Sequence, residues 1–243
     1  MASTIDILSI PIWNVTMEEA VETAFKCIDE GRAASIATAN AEMVMRSQSD
    51  RELAGILQHA DLVVPDGAGV LWAAEQQGKR FKQRVTGVDL ACSLLREAAA
   101  RQTAVYFFGG AEGVAKQAAQ NIQQQVGKLN MVGTHSGFFT PEEEGKIIEE
   151  IRSGGTQILL VALGVPKQEK WIHDHLYELG PCVCMGVGGT FDVLSGKACR
   201  APKWMQEHRL EWLYRLLKEP TRFKRMLALP RFVAAVKWGK GVK

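Results

Sequence analysis

Ala60-Asp61-Leu62-Val63-Val64-Pro65-Asp66-Gly67-Ala68-Gly69-Val70 is the stretch whose reading decides the fold. Asp61 to Val64 reads as a buried strand, and Pro65 stops it because proline has no N–H for a ladder bond. A second apolar run, Val70 to Ala74, reads as a helix. Asp66 and Gly67 therefore stand where a strand hands over to a helix. In an open α/β sheet that is the carboxyl edge, where ligands bind. A carboxylate there can cap the helix, or it can act as a general base aimed into the cleft. The local sequence leaves both open.

The same alternation runs outward in both directions. Ile5 to Val15 contains Pro11 and reads as a short edge hairpin. Thr16-Met17-Glu18-Glu19 is a capping box opening a helix to about Glu30. Ala34 to Thr38 reads as a strand, Arg51 to His59 as a helix, and Thr86 or Asp89 as the cap of a helix to about Arg101. Strands follow at Thr103 to Phe108, Leu129 to Thr134, Gln157 to Leu163 and Cys182 to Met185, each with a helical segment after it. Thr140 and Pro141 open one of those helices. The pattern predicts an α/β, Rossmann-like fold: a mostly parallel sheet with helices on both faces.

The 243 residues are 47% hydrophobic and 23% charged, enough for a sizeable core. No apolar run approaches the ~20 residues a membrane span needs, and no basic region precedes an apolar block at the start. Five scattered cysteines read as free thiols of a cytoplasmic protein. Cys182-x-Cys184 has the wrong spacing for zinc, and none of the histidines has a ligand-spaced partner. The net charge of +2 hides an asymmetry: Cys199 to Lys243 holds 12 Lys and Arg against 3 Asp and Glu, the remainder 17 against 24. We divide the chain into an α/β catalytic body, 1–198, and a basic, amphipathic helical appendage, 199–243.

Four strand ends carry glycine-containing turns: Pro65-Asp66-Gly67, Phe108-Gly109-Gly110, Leu163-Gly164-Val165-Pro166 and Gly186 to Gly189. Backbone amides can approach a ligand closely there, and helix N-termini favour anions. Several on one sheet edge favour a nucleotide or sugar-phosphate cleft. An NAD site would want an acid about 20 residues beyond the glycines, yet no Asp or Glu lies between Glu112 and Glu142. No P-loop motif occurs. No Asp-x-Asp pair is present to hold a divalent ion beside a nucleotide diphosphate. Nucleotide-sugar chemistry here is therefore expected to be metal-independent, with arginines and amides taking the leaving-group charge.

Five ordered motifs carry a resemblance: Thr38-Ala39-Asn40-Ala41-Glu42, Pro65-Asp66-Gly67-Ala68-Gly69, Arg84-Val85-Thr86-Gly87-Val88-Asp89, Gly164-Val165-Pro166-Lys167-Gln168-Glu169 and Gly186-Val187-Gly188-Gly189-Thr190-Phe191-Asp192. Together they resemble the WecG/TagA/CpsF glycosyltransferases (family 26) over nearly the whole chain. Glu211 to Arg225 looks like the TagA branch. The resemblance implies an inverting transferase moving N-acetylmannosamine from its UDP donor to the 4-hydroxyl of N-acetylglucosamine on undecaprenyl diphosphate, a step in building wall teichoic acid. Asp66 matches the family's proposed base. Thr38, Asn40 and Gln168 match polar positions near the sugars, and Arg84 would balance diphosphate charge. For the nucleotide we expect backbone donors at Gly109, Gly110, Gly164, Gly186 and Gly188, with Asp192 on the uridine or capping a helix. No cofactor or metal is expected. A uronic acid donor, and a non-catalytic nucleotide-sugar-binding module, are the alternatives; a homodimer is compatible with the resemblance.

In the appendage, apolar and aromatic residues such as Trp204, Trp212, Phe223 and Trp238 alternate with arginines and lysines. That mixture suits an anionic membrane surface, or a helix packed on the body with its basic face in water. Arg215, Arg222 and Arg225 match arginines expected to grip the lipid diphosphate. The expected location is peripheral, on the inner face of the cell membrane. No nucleic-acid motif is found.

Overall fold

The computed structural model describes residues 3–218, 223 and 227–239. Strands β1 (Thr4–Ile7) and β2 (Ile10–Trp13) form an antiparallel hairpin. Its turn, Leu8-Ser9, has positive φ at both residues, the geometry that matches strand twist in a two-residue hairpin. The chain continues through α1 (Met17–Asp29), β3 (Ala34–Ala39), α2 (Ala41–Ser47), α3 (Arg51–His59), β4 (Leu62–Pro65), α4 (Ala68–Gln76) and α5 (Gly87–Arg101). Next come β5 (Ala104–Gly109), α6 (Val114–Val126), β6 (Asn130–His135), α7 (Pro141–Ser153), β7 (Ile158–Ala162), α8 (Lys167–His175), β8 (Val183–Gly186) and α9 (Thr190–Leu194). The last described elements are α10 (Lys203–Glu207), α11 (Glu211–Lys218) and α12 (Ala228–Trp238).

Strands β3 to β8 make one six-stranded sheet, parallel throughout, in the order β4-β3-β8-β7-β5-β6. The expected Rossmann-like α/β architecture is present. From β3 the next strand lies outward at β4, and from β7 the chain steps to β8 beside β3. β3 and β8, far apart in the chain, therefore lie side by side, with their carboxyl ends on one edge of the sheet.

Both faces of the sheet are covered. On one, Ile36, Val105, Phe107 and Met185 pack with α1, α5, α6 and α9. Phe107 stacks on Phe191 with ring centroids 4.7 Å apart, which fixes α9 beneath the β8 turn. Truncating so buried a phenylalanine typically costs about 3–5 kcal/mol. On the other face, Ala37, Ala39 and Val63 meet the hairpin, α2, α3 and α4, while Tyr106, Phe108 and Leu159 meet α7 and α8. Phe232 and Val236 of α12 belong to the same core as α2 and α4. The end of the appendage thus packs on the body, with Leu229 partly buried against the same core, while Val233 and Trp238 stay exposed.

Capping follows the sequence. Thr16 and Thr140 form reciprocal boxes with Glu19 and Glu143. Thr86, rather than Asp89, caps α5 by accepting from the Asp89 amide.

Candidate active site

The parallel register of β3 and β4 pairs Thr38 with Val64 and Ala39 with Pro65. Asn40 and Asp66 therefore leave the sheet side by side. Asn40 caps α2, its Oδ1 accepting from the Met43 amide, so the cap leaves the NH2 group out. Gly67 lies so near Asn40 that an added Cβ would sit 2.9 Å from Asn40 Cβ. Only glycine lets α2 and α4 begin this close together.

Above these strand ends lies a cavity of about 200 Å3. Thr38, Asn40 and Glu42 line it from the β3 side, Asp66 to Gly69 from the β4 side, Arg84 and Thr86 to Val88 from the start of α5, and Val187, Gly189 and Thr190 from the β8 turn. Arg209, Glu211, Trp212, Ala228 and Leu229 close it from the appendage.

The structure separates the two uses the sequence leaves open for Asp66. Gly67 is the N-cap of α4, and no side chain caps that helix. The Asp66 carboxyl instead faces the cavity. A Cβ added to Gly87 would lie 3.7 Å from Asp66 Oδ2 and 3.3 Å from Thr38 Oγ1, so both oxygens converge on the bare start of α5. The Asp66 backbone is held on both sides: its N–H donates to the Ala39 carbonyl (3.0 Å) and its carbonyl accepts from Arg84 Nε (2.6 Å).

Arg84 also donates to the Glu211 carboxylate at 2.9 Å and to the Gln206 carbonyl at 3.5 Å. It therefore ties the base candidate to the appendage, a pairing across 127 residues. A second tie runs from Arg200, which grips Asp89 with two bonds of 2.5 and 2.6 Å. Burial pushes the Asp89 carboxyl up, but the Arg200 and Thr86 hydrogen bonds outweigh it and hold Asp89 below the usual carboxylate range.

The expected nucleotide glycines share this carboxyl edge but lie outside the cavity lining. Gly109 backs onto the Ala162 carbonyl. The Gly110 amide donates to that carbonyl at 2.9 Å. The amides of Gly164 and Gly188 donate to Gln168 Oε1 at 3.1 and 3.0 Å. These three amides are therefore engaged within the protein, where free donors were expected. Gly186 is buried in β8. Gln168 is itself 2% exposed and lies outside the cavity; it binds two turns together where a sugar contact was expected. Asp192 sits in the first turn of α9, which Gly189 caps without a side-chain bond. The side chain of Arg215, and all of Arg222 and Arg225, lie outside the described residues.

Sequence reasoning gave no role to Glu42, which follows Asn40 in the first turn of α2, or to Glu211 and Arg209, whose placement at the cavity depends on how distant segments pack. Phe138 is 76% exposed beside Gly137, whose amide donates to the Gly110 carbonyl, and it lies outside the cavity lining.

The chain matches the glycosyl transferase WecG/TagA/CpsF family over residues 5–241. It is a member of that family. Among similar proteins is an N-acetylglucosaminyldiphosphoundecaprenol N-acetyl-beta-D-mannosaminyltransferase of Bacillus spizizenii strain W23. The two are 34% identical over 216 residues, covering 89% of this chain and 82% of the relative. A protein of the same name from Bacillus subtilis strain 168 is 31% identical over 229 residues, covering 94% and 89%. This WecG/TagA/CpsF glycosyltransferase has, among its described residues, no helix long and apolar enough to cross a membrane.

Proposed function

We propose that the protein transfers N-acetylmannosamine from UDP-N-acetylmannosamine to the 4-hydroxyl of N-acetylglucosaminyl-diphospho-undecaprenol, with inversion and without a divalent metal. The observation that carries this reading is the place of the Asp66 carboxyl, in the cavity beside Thr38 and the start of α5 at Gly87. The names of the two relatives supply the sugars and the lipid carrier.

The chemistry balances. An Asp66 oxygen takes the proton of the acceptor hydroxyl as that oxygen attacks the anomeric carbon. The carbon–oxygen bond to UDP breaks from the opposite side, and UDP departs with the electron pair. Thr38 and the Asn40 NH2 group suit hydroxyl and acetamido partners. The N-termini of α4 and α5 open at the cavity through Gly67-Ala68 and Thr86-Gly87. Their dipoles favour a diphosphate there. Phe138 offers a ring face for the uracil.

Purified protein given UDP-N-acetylmannosamine and a short-chain lipid acceptor should release UDP and form a β-linked disaccharide at an unchanged rate in EDTA. Dependence on added metal, or preference for the uronic acid donor, would overturn the corresponding part of the reading.

The appendage fits a peripheral site on the inner membrane face. Trp204, Phe223 and Trp238 are 57, 60 and 79% exposed. Replacing all three with serine should weaken binding to anionic phospholipid vesicles on the order of tenfold or more, since burying one such side chain is worth about 1.5–3 kcal/mol. Unchanged co-sedimentation would assign them to another surface.

A further inference from the structure

We propose that Glu169 is a positioning residue for the donor: it fixes the carboxamide of Gln168, which in turn holds the turns after β7 and β8. This inference rests on the transferase reading above.

Gln168 Oε1 accepts from the amides of both Gly164 and Gly188. One oxygen thereby joins the turns after β7 and β8, the second of which lines the cavity through Val187 and Gly189. A carboxamide can do this only in one of its two flipped orientations, because the alternative would turn an NH2 group toward two N–H donors. What selects the orientation is Glu169, whose Oε1 accepts from Gln168 Nε2 at 2.7 Å.

The neighbourhood is built for this pair. Gln168 and Glu169 are 2% and 4% exposed. Gly186 of β8 leaves the room they occupy: an added Cβ would fall 2.6 Å from Gln168 Nε2 and 3.0 Å from Glu169 Oε1. Glu169 Oε2 is buried with no hydrogen-bond partner among the described residues. A buried, half-satisfied carboxylate is costly, and a core that served packing alone would place an apolar residue there. Burial pushes this carboxyl up to about 7, opposed by the Gln168 bond and by the charge of Arg46 from α2. His59 of α3 and His173 of α8 line the second cavity that Glu169 borders, and Cys184 of β8 packs in the same core as Trp171 and Ile172 of α8.

The test is UDP titration by calorimetry, with donor and acceptor KM measured in parallel. Glu169→Leu removes the acceptor and frees the Gln168 carboxamide to turn. It should raise the UDP Kd by tenfold or more and the donor KM with it, leaving the acceptor KM within about twofold. Glu169→Gln can still present an oxygen to Gln168 Nε2, and it should recover most of the affinity. Gly186→Ala keeps the Glu169 carboxylate but crowds the Gln168 carboxamide, and Glu169 Oε1 less closely, and it should reproduce the loss; this decides the matter if the leucine variant does not fold. An unchanged UDP Kd in a folded Gly186→Ala or Glu169→Leu protein overturns the inference. So does an equal rise in both KM values, the mark of general loosening. If the unaltered protein does not bind UDP, the transferase reading itself fails and this inference falls with it.

Discussion

Asp66→Asn should bind UDP with a Kd within about threefold of the unaltered protein and lose most of its transfer activity. Asparagine keeps the shape of the side chain. The backbone anchors to Ala39 and Arg84 do not involve the carboxyl, so the β4–α4 turn should hold. What disappears is the oxygen able to take a proton. General-base contributions are typically about 10²–10⁴-fold, or roughly 3–5 kcal/mol of barrier at about 1.36 kcal/mol per decade. Single-turnover measurement with pre-bound donor separates this step from product release. A variant turning over within a few-fold of the parent would remove Asp66 from the chemistry. A variant that no longer binds UDP would make it a donor ligand instead.

That prediction could be framed from the sequence, but its decisive half could not. The strand-proline-Asp-Gly pattern located the turn. Whether Asp66 or Gly67 caps α4 depends on where the helix begins, and that is set by the near contact of Gly67 with Asn40, 27 positions earlier in the chain. The Thr16 capping box and the Thr140 cap were legible because the partners lie within four residues. The Leu8-Ser9 turn was not, because neither residue carries the usual glycine or asparagine signal for positive φ.

Gln168 shows the same limit in reverse. The resemblance matches it to a polar position near the sugars. The structure buries it because Gly186, on another strand, supplies the space and two glycine amides supply the donors. In the appendage, alternating basic and apolar residues fit a membrane and a protein surface equally well. Phe232 takes the second, packed against Gly69, while Trp238 remains exposed. Local pattern reports amphipathicity, and tertiary packing decides which partner each face receives.

Arg84→Ala is the substitution that tests how far the appendage and the reacting group are one unit. The Arg84 side chain is 20% exposed and that of Glu211 only 9%. Their 2.9 Å bond is therefore shielded from the screening that makes surface pairs weak, and loss of such a charge-assisted bond costs about 1.5–3 kcal/mol. The same substitution removes the Nε–H that fixes the Asp66 carbonyl. A misplacement near 1 Å can cost about 10²-fold in rate, so kcat should fall roughly ten- to a hundredfold. Protease cleavage in the appendage should quicken in parallel, because a tie to the α5 end of the cavity is gone while the Arg200–Asp89 pair remains. Arg84→Lys should be intermediate: it keeps the charge but cannot bridge a carbonyl and a carboxylate in the fixed geometry of a guanidinium. Adding Arg200→Ala should release the appendage further with little added loss of kcat, since Arg200 makes no bond to Asp66 among the described contacts. If Arg84→Ala loses rate while its appendage stays as protected as before, Arg84 acts on Asp66 alone. If the appendage loosens and kcat is untouched, closure of the cavity by Glu211 and Trp212 has no part in turnover.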